Sequence, residues 1–128
     1  MKREIKFRGK RLKNDIWVYG LLTNDMKGHY RINFDPKSFS CVVKENTIGQ
    51  FTGLRDKNGN EIYQHDIIQL QGKENKYNCL VDWNINLGAW CISIENKCLG
   101  VKPLGEWLLE DRFVVIGNIY DNPELLED

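Results

Sequence analysis

At 128 residues, with 18 basic and 18 acidic side chains, the chain is one domain's worth of sequence, and its zero net charge gives no overall pull toward nucleic acid or an anionic membrane. No apolar run approaches the roughly 18 residues of a membrane-spanning helix, and the basic start MKREIKFRGKRLK lacks the apolar stretch of a secretory signal. Four cysteines, Cys41, Cys79, Cys91 and Cys98, are too sparse for a disulfide scaffold, which points to a reduced, cytosolic protein.

Charge is unevenly placed along this neutral chain. Residues 1–13 hold seven Lys or Arg against one acid, and residues 106–128 hold seven acids against one Arg, a net of +6 and −6. Such ends can pair within one chain or between subunits, or the basic end can serve as an arm on a partner. Pairing is the favoured reading, because the basic residues alternate with apolar ones as in a strand.

In chain order, Ile5 and Phe7 alternate with Lys6 and Arg8 until Gly9, the period of a half-buried strand. Asn14-Asp15 makes a turn into Asp15–Leu22, which is dense in the aromatic and branched residues that suit strands. A further turn over Asn24–Gly28 precedes His29–Phe34, where Tyr30, Ile32 and Phe34 share a face; Asp35-Pro36 ends that strand. Phe39–Val43 is another short strand, and Lys44-Glu45-Asn46 leads into the middle of the chain.

The middle, residues 47–70, reads as a β-meander with strands Thr47–Leu54, Glu61–Tyr63 and Ile67–Leu70. Asn58-Gly59 supplies the positive φ of a tight turn, Asp56 is placed to accept backbone amides of that turn, and Gln64-His65-Asp66 bends the chain again. Gly49 and Gly53 mark a bulge or sharp bend, the means by which a small sheet curls. Beyond it, Gln71–Asn75 is a turn, Tyr77–Trp83 and Ala89–Ile94 form a hairpin through Asn84–Gly88, and Glu95-Asn96-Lys97 is a tight connection. Pro103 and Gly105 break Val101–Leu109 into a loop or one helical turn, Phe113–Ile116 is the last clear strand, and Asn122-Pro123 starts a short helix as cap and first residue.

Many short strands with regular turn signals predict an all-β fold, a strongly curled antiparallel sheet or small barrel-like domain ending in a short helical turn. Residues 1–128 read as one domain, with N-terminal strands over 1–46, the central meander over 47–70, and C-terminal strands and helix over 71–128.

Three stretches, WVYGLL at Trp17–Leu22, TIGQFTGLRDKNGNEIYQHDII at Thr47–Ile68 and VVIGNIYDNPELL at Val114–Leu126, together resemble the YopX family of small bacteriophage and prophage proteins. The resemblance implies a β-rich cytosolic protein of the bacterial host cell, capable of self-association, and supplies no catalytic residues. Gly53, Asp56, Gly59, His65 and Asp66 are the structural turn residues of the shared motif. The family usually writes glycine where this chain has His65, which implies a positive φ that histidine adopts at some strain.

Candidate chemistry is thin. Asp56, Glu61 and Asp66 could pair as carboxylates, and a hydrolase using them with His65 is one reading. Asp56–Glu61 resembles a calcium loop but lacks its alternating oxygen ligands and distal bidentate Glu. The two histidines, His29 and His65, sit in or beside turns; the cysteine spacing offers no CxxC for zinc, and Cys79 and Cys91 fall in apolar strands as buried thiols. No catalytic residue, metal ligand or cofactor is assigned.

Lys6, Arg8, Lys10, Arg11 and Lys13 could bind nucleic acid or another partner if they share an exposed face with Trp17 or Tyr19. The leading expectation is a non-enzymatic accessory protein that forms a homo-oligomer and binds a host or phage protein, with no membrane association.

Overall fold

The computed structural model describes residues 3–35, 39–94, 97–98 and 103–127. The expected stop at Pro36, the Glu95-Asn96 connection and Val101 lie outside them. The described residues form two antiparallel sheets and pack as two compact units, Met1–Gly53 and Leu54–Asp128.

The first unit contains β1 (Phe7–Lys10), β2 (Trp17–Asn24), β3 (Tyr30–Asp35), β4 (Phe39–Val43) and most of β5 (Gly49–Arg55). In register, Phe7 faces Gly20, Gly9 faces Val18, Leu22 faces Ile32 and Ile32 faces Cys41, so these residues share one side of the sheet. Ile32 and Val43 are buried on it. Two glycines permit the close approach of strands there. A Cβ on Gly20 would lie 2.1 Å from the Asn33 carbonyl oxygen, and one on Gly9 would lie 3.0 Å from Val43 Cβ.

The β1–β2 turn tightens at Asp15, which sits at φ +59° with its amide donating to Arg11 O at 2.9 Å. Beyond β1, Arg11 bridges Val43, Leu12 N–H donates to Val42 O at 3.0 Å, and Lys44 N–H donates to Lys10 O at 2.8 Å. The end of β4 therefore bonds to the residues that follow β1 as well as to β3. A 3-10 helix over Glu45–Thr47 follows, unforeseen in the sequence, and its Thr47 hydroxyl accepts Lys10 N–H at 2.9 Å.

The second unit holds the end of β5, then β6 (Glu61–Tyr63), β7 (Asp66–Gln71), β8 (Lys76–Asn84), β9 (Ala89–Ile94), β10 (Lys97–Cys98), α1 (Leu104–Leu108) and β11 (Phe113–Asn118). Its five-stranded sheet runs in the order β10-β9-β8-β7-β11. Alternation along β7, β8 and β9 places Ile68, Cys79, Val81 and Ile92 on one face, where Ile62, Leu104 and Phe113 complete the core.

The single turn of α1 starts after Pro103 and brings Trp107 edge-on to Phe113 at 6.4 Å between ring centres. Cys79 is fully buried, and burial pushes its thiol up to about 11, so it behaves as a small apolar side chain.

The chain ends in a 3-10 helix over Pro123–Leu126 with Pro at its start, but the expected Asn122 cap does not form. The Asn122 side-chain oxygen instead accepts Asn118 N–H at 3.3 Å, folding the segment back onto the end of β11. The Asn78 side-chain amide holds that helix by donating to Leu125 O at 2.8 Å.

Candidate functional site

The turn of the meander is built around Asp56. Gly59 takes φ +84°, the Asp56 amide donates to Asn60 O at 2.9 Å, and the Gly59 amide donates to Asp56 O at 3.0 Å. The Asp56 carboxylate then accepts four donors. Its Oδ1 takes the amides of Asn58 and Asn60, both at 2.9 Å, and its Oδ2 takes the Asn60 side-chain amide at 3.0 Å and Val115 N–H at 2.9 Å.

Lys57 N–H adds a bond to Phe113 O at 3.3 Å, so the turn covers the edge of β11 that faces away from β7. Burial works against the charged form of Asp56, but the Val115 amide, the Asn60 side chain and the Asn60 and Asn58 amides outweigh it and hold the carboxyl below its ordinary range. With about four lone-pair positions on a carboxylate, four donors leave none for a cation. No metal-binding group of acids, histidines and cysteines occurs among the described residues.

The second turn of this stretch holds His65 and Asp66, and it does not continue a meander as expected: it leads from β6, at the end of the six-stranded sheet β4-β3-β2-β1-β5-β6, to β7, which pairs with β8 and β11 in the five-stranded sheet. Asp66 is buried and its Oδ2 accepts Tyr63 N–H at 2.7 Å, closing the turn between β6 and β7. His65 sits at φ +71°, the left-handed conformation implied by the glycine of the family motif. Its backbone is clamped on both sides, with N–H donating to Val81 O at 2.8 Å and O accepting Ile119 N–H at 3.1 Å.

The imidazole Nδ1 lies 2.6 Å from the Tyr120 hydroxyl, and Nε2 lies 3.7 Å from Asp82 Oδ1. Gln64 Nε2 reaches the same Asp82 oxygen at 3.3 Å. Asp66 thus closes its own turn, while the His65 ring meets Tyr120 and Asp82. Sequence reasoning missed Tyr120 and Asp82, since nothing local ties residue 65 to positions 55 residues and 17 residues away. Glu61 takes part in local contacts with Tyr63 Oη at 3.2 Å and Arg55 at 3.4 Å.

Asp82 also lines a depression of about 200 Å³ with Leu80, Trp83, Cys91 and Ser93, on β8 and β9. The hairpin end beside it is pinned by Asn84, whose Oδ1 accepts the amides of Asn86 and Leu87 at 3.0 Å, and by Gly88 at φ +59°. This turn carries Ile85, 83% exposed, and Leu87, 41% exposed, next to Trp83, 45% exposed. Trp83 and Trp90 meet edge-to-face with ring centres 5.0 Å apart.

The basic residues of the first strand do not all face solvent. Lys6, Arg8 and Lys10 lie on one side of β1, with Trp17 opposite Lys10 and Tyr19 opposite Arg8. Arg8 is only 5% exposed and lies over the Trp17 ring at 4.7 Å, with Lys10 at 5.4 Å from the same ring. Lys6 is half-buried, 5.1 Å from the Phe51 ring and 3.2 Å from Glu4. Arg11 is half-buried as well, and Lys13 is exposed. His29 is exposed, with Nδ1 3.1 Å from Asp25; desolvation opposes ionisation of the Asp25 carboxyl, but together the Lys27 and His29 amides and the Arg31 and His29 side chains bring it down to about 2.

Comparison with known proteins matches this chain to YopX, described as YopX protein, over residues 6–127. The chain belongs to the YopX family. Gly53, Asp56, Gly59, His65 and Asp66 all fall within the matched span. Among solved structures, it is similar to the crystal structure of protein EF1440 from Enterococcus faecalis, with 25% identity and a TM-score of 0.65, covering 98% of this chain and 100% of that one. No curated protein matches it. Among the described residues, no helix of the chain is long and apolar enough to cross a membrane.

Proposed function

We propose that this YopX-family chain is a phage- or prophage-encoded accessory protein that acts in the bacterial cytoplasm by binding, without catalysis, and that it self-associates. The observation that carries the binding reading is the β8–β9 hairpin end, which presents Trp83, Ile85 and Leu87 on a turn fixed by Asn84 and Gly88. Scattered exposed apolar residues are ordinary, but several on one pinned turn make a contact surface. A pre-ordered turn also loses little conformational entropy on docking. The occupants of that surface are a second copy of the chain or a host or phage protein.

The engagement of Asp56 and Asp66 by backbone amides supports a binding role over hydrolysis. The Arg11–Val43 bridge supports a curled, barrel-like first unit. Light scattering at micromolar concentration is the test. An apolar contact holds the oligomer together at low and moderate salt, whereas pairing of the +6 and −6 ends weakens as salt rises. A monomer under both conditions removes self-association.

A second reading, binding of single-stranded nucleic acid, draws support from Lys10 beside Trp17, from Lys6 beside Phe51 and from Tyr19, which is 46% exposed. The burial of Arg8 counts against it. A mobility shift that weakens steeply with salt and disappears on changing Lys6, Lys10 and Lys13 to Glu would put this reading first.

A further inference from the structure

Tyr120, His65 and Asp82 come from three separate segments and meet in the order nucleophile, base and carboxylate. The phenol oxygen of Tyr120 is 2.6 Å from His65 Nδ1, and His65 Nε2 is 3.7 Å from Asp82 Oδ1. A hydroxyl within hydrogen-bond reach of a base, with a third group on the far side of that base, is the general arrangement of an activated nucleophile. The pieces are held in place. The His65 backbone is bonded at both N–H and O, Asp82 Oδ1 accepts Trp83 N–H at 2.8 Å, and Ile119 N–H is tied to His65 O beside Tyr120.

We propose that Tyr120 is an activated phenol that takes up an acyl group from a neutral, activated acyl donor. In the step, Nδ1 of neutral His65 accepts the phenol proton as Tyr120 Oη bonds to the donor's carbonyl carbon. The resulting imidazolium is stabilised through Nε2–H by the Asp82 carboxylate. Collapse of the tetrahedral intermediate expels the leaving group with its electron pair, and the leaving group takes the proton from His65. The products are an ester on Tyr120, a free leaving group and neutral His65.

A neutral donor fits better than an anionic phosphoryl donor, because Asp82 brings negative charge to the site. Tyr120 is the nucleophile, His65 the base, and Asp82 a positioning residue that acts through His65. This inference does not depend on the binding role above.

The experiment treats the folded chain with N-acetylimidazole and reads the acetylation rate at each of the five tyrosines by peptide mass spectrometry. Tyr19, 46% exposed, and Tyr77, 43% exposed, serve as internal references for an unassisted phenol. Half-buried Tyr120 is expected to react at least about tenfold faster than either, with a rate that depends on the deprotonated imidazole. His65→Gly suits the positive φ and should bring Tyr120 down to or below the reference rate while leaving Tyr19 and Tyr77 unchanged; Asp82→Asn should shift the pH profile.

His65→Asn, which also tolerates that backbone, replaces the glycine variant if circular dichroism shows that variant to be unfolded. Equal rates at Tyr120 and the references in the wild-type chain, or an unchanged Tyr120 rate in the folded His65 variant, overturns the proposal.

Discussion

The carboxylate of Asp56 accepts the backbone N–H of Val115 at 2.9 Å, joining the tight turn of the meander to the last strand across 59 residues of chain. That bond makes the turn a long-range clamp as well as a local one. Replacing Asp56 by Ala leaves four donors without this acceptor, two of them on the turn's own backbone amides. The expected cost is about 2–4 kcal/mol. Asp56→Asn keeps one acceptor oxygen and should cost less. Urea denaturation of the three proteins checks the order.

The same carboxylate sets a pH dependence. Its folded pKa lies below its unfolded one, so its stabilisation is fully present above the unfolded value and is lost as pH falls through the folded value. With an unfolded reference of about 3.9, the wild-type urea midpoint should begin to fall below about pH 5 and continue falling under pH 4. Asp56→Asn should show a shallower fall over that window. Parallel curves for the two proteins would assign the acid sensitivity to other groups.

His65 holds a left-handed backbone conformation that costs a non-glycine residue about 1–2 kcal/mol, and its hydrogen bond to Tyr120 returns about 1 kcal/mol. His65→Gly removes both and should leave stability within about 1 kcal/mol of wild type. His65→Val keeps the strain, worsens it by β-branching, and should cost at least about 2 kcal/mol. Equal stability of the Gly and Val variants would mean that the turn relaxes out of positive φ.

These two turns also show what a sequence displays and what it hides. Asn58-Gly59 was legible because turn chemistry is decided within about four residues, whereas the left-handed place at His65 was implied only by the glycine that the family writes there. The strand positions within residues 47–70 and the β8–β9 hairpin were legible for the same reason, through alternation and short polar connections, but the parting of β6 and β7 into different sheets was not. The Asp56–Val115 clamp and the Tyr120–His65–Asp82 contact were not, because no local pattern records which distant strand a side chain will meet. Asn122 illustrates the converse: a residue suited to capping gave its oxygen to Asn118 N–H, where the chain folds back on β11.

The sequence offers Arg8 as a partner-binding cation on the condition that it shares an exposed face with Trp17 or Tyr19. In the fold it is 5% exposed and stacked on Trp17, so its aliphatic stem and guanidinium both contribute packing. Arg8→Ala should lower stability by about 1–2 kcal/mol, whereas Lys13→Ala, at an exposed site, should change it by less than about 0.5 kcal/mol. Thermal unfolding of both variants tests the contrast.

The most direct test of the binding account is multi-angle light scattering of the wild-type chain beside a variant carrying Ile85→Asp and Leu87→Asp, both at micromolar concentration and moderate salt. Both substitutions sit on exposed positions of the hairpin end and leave the Asn84 bonds and the core in place. The account predicts an oligomer for the wild type and a folded monomer for the variant. Identical masses for the two proteins, whether both monomeric or both oligomeric, would contradict self-association through this hairpin.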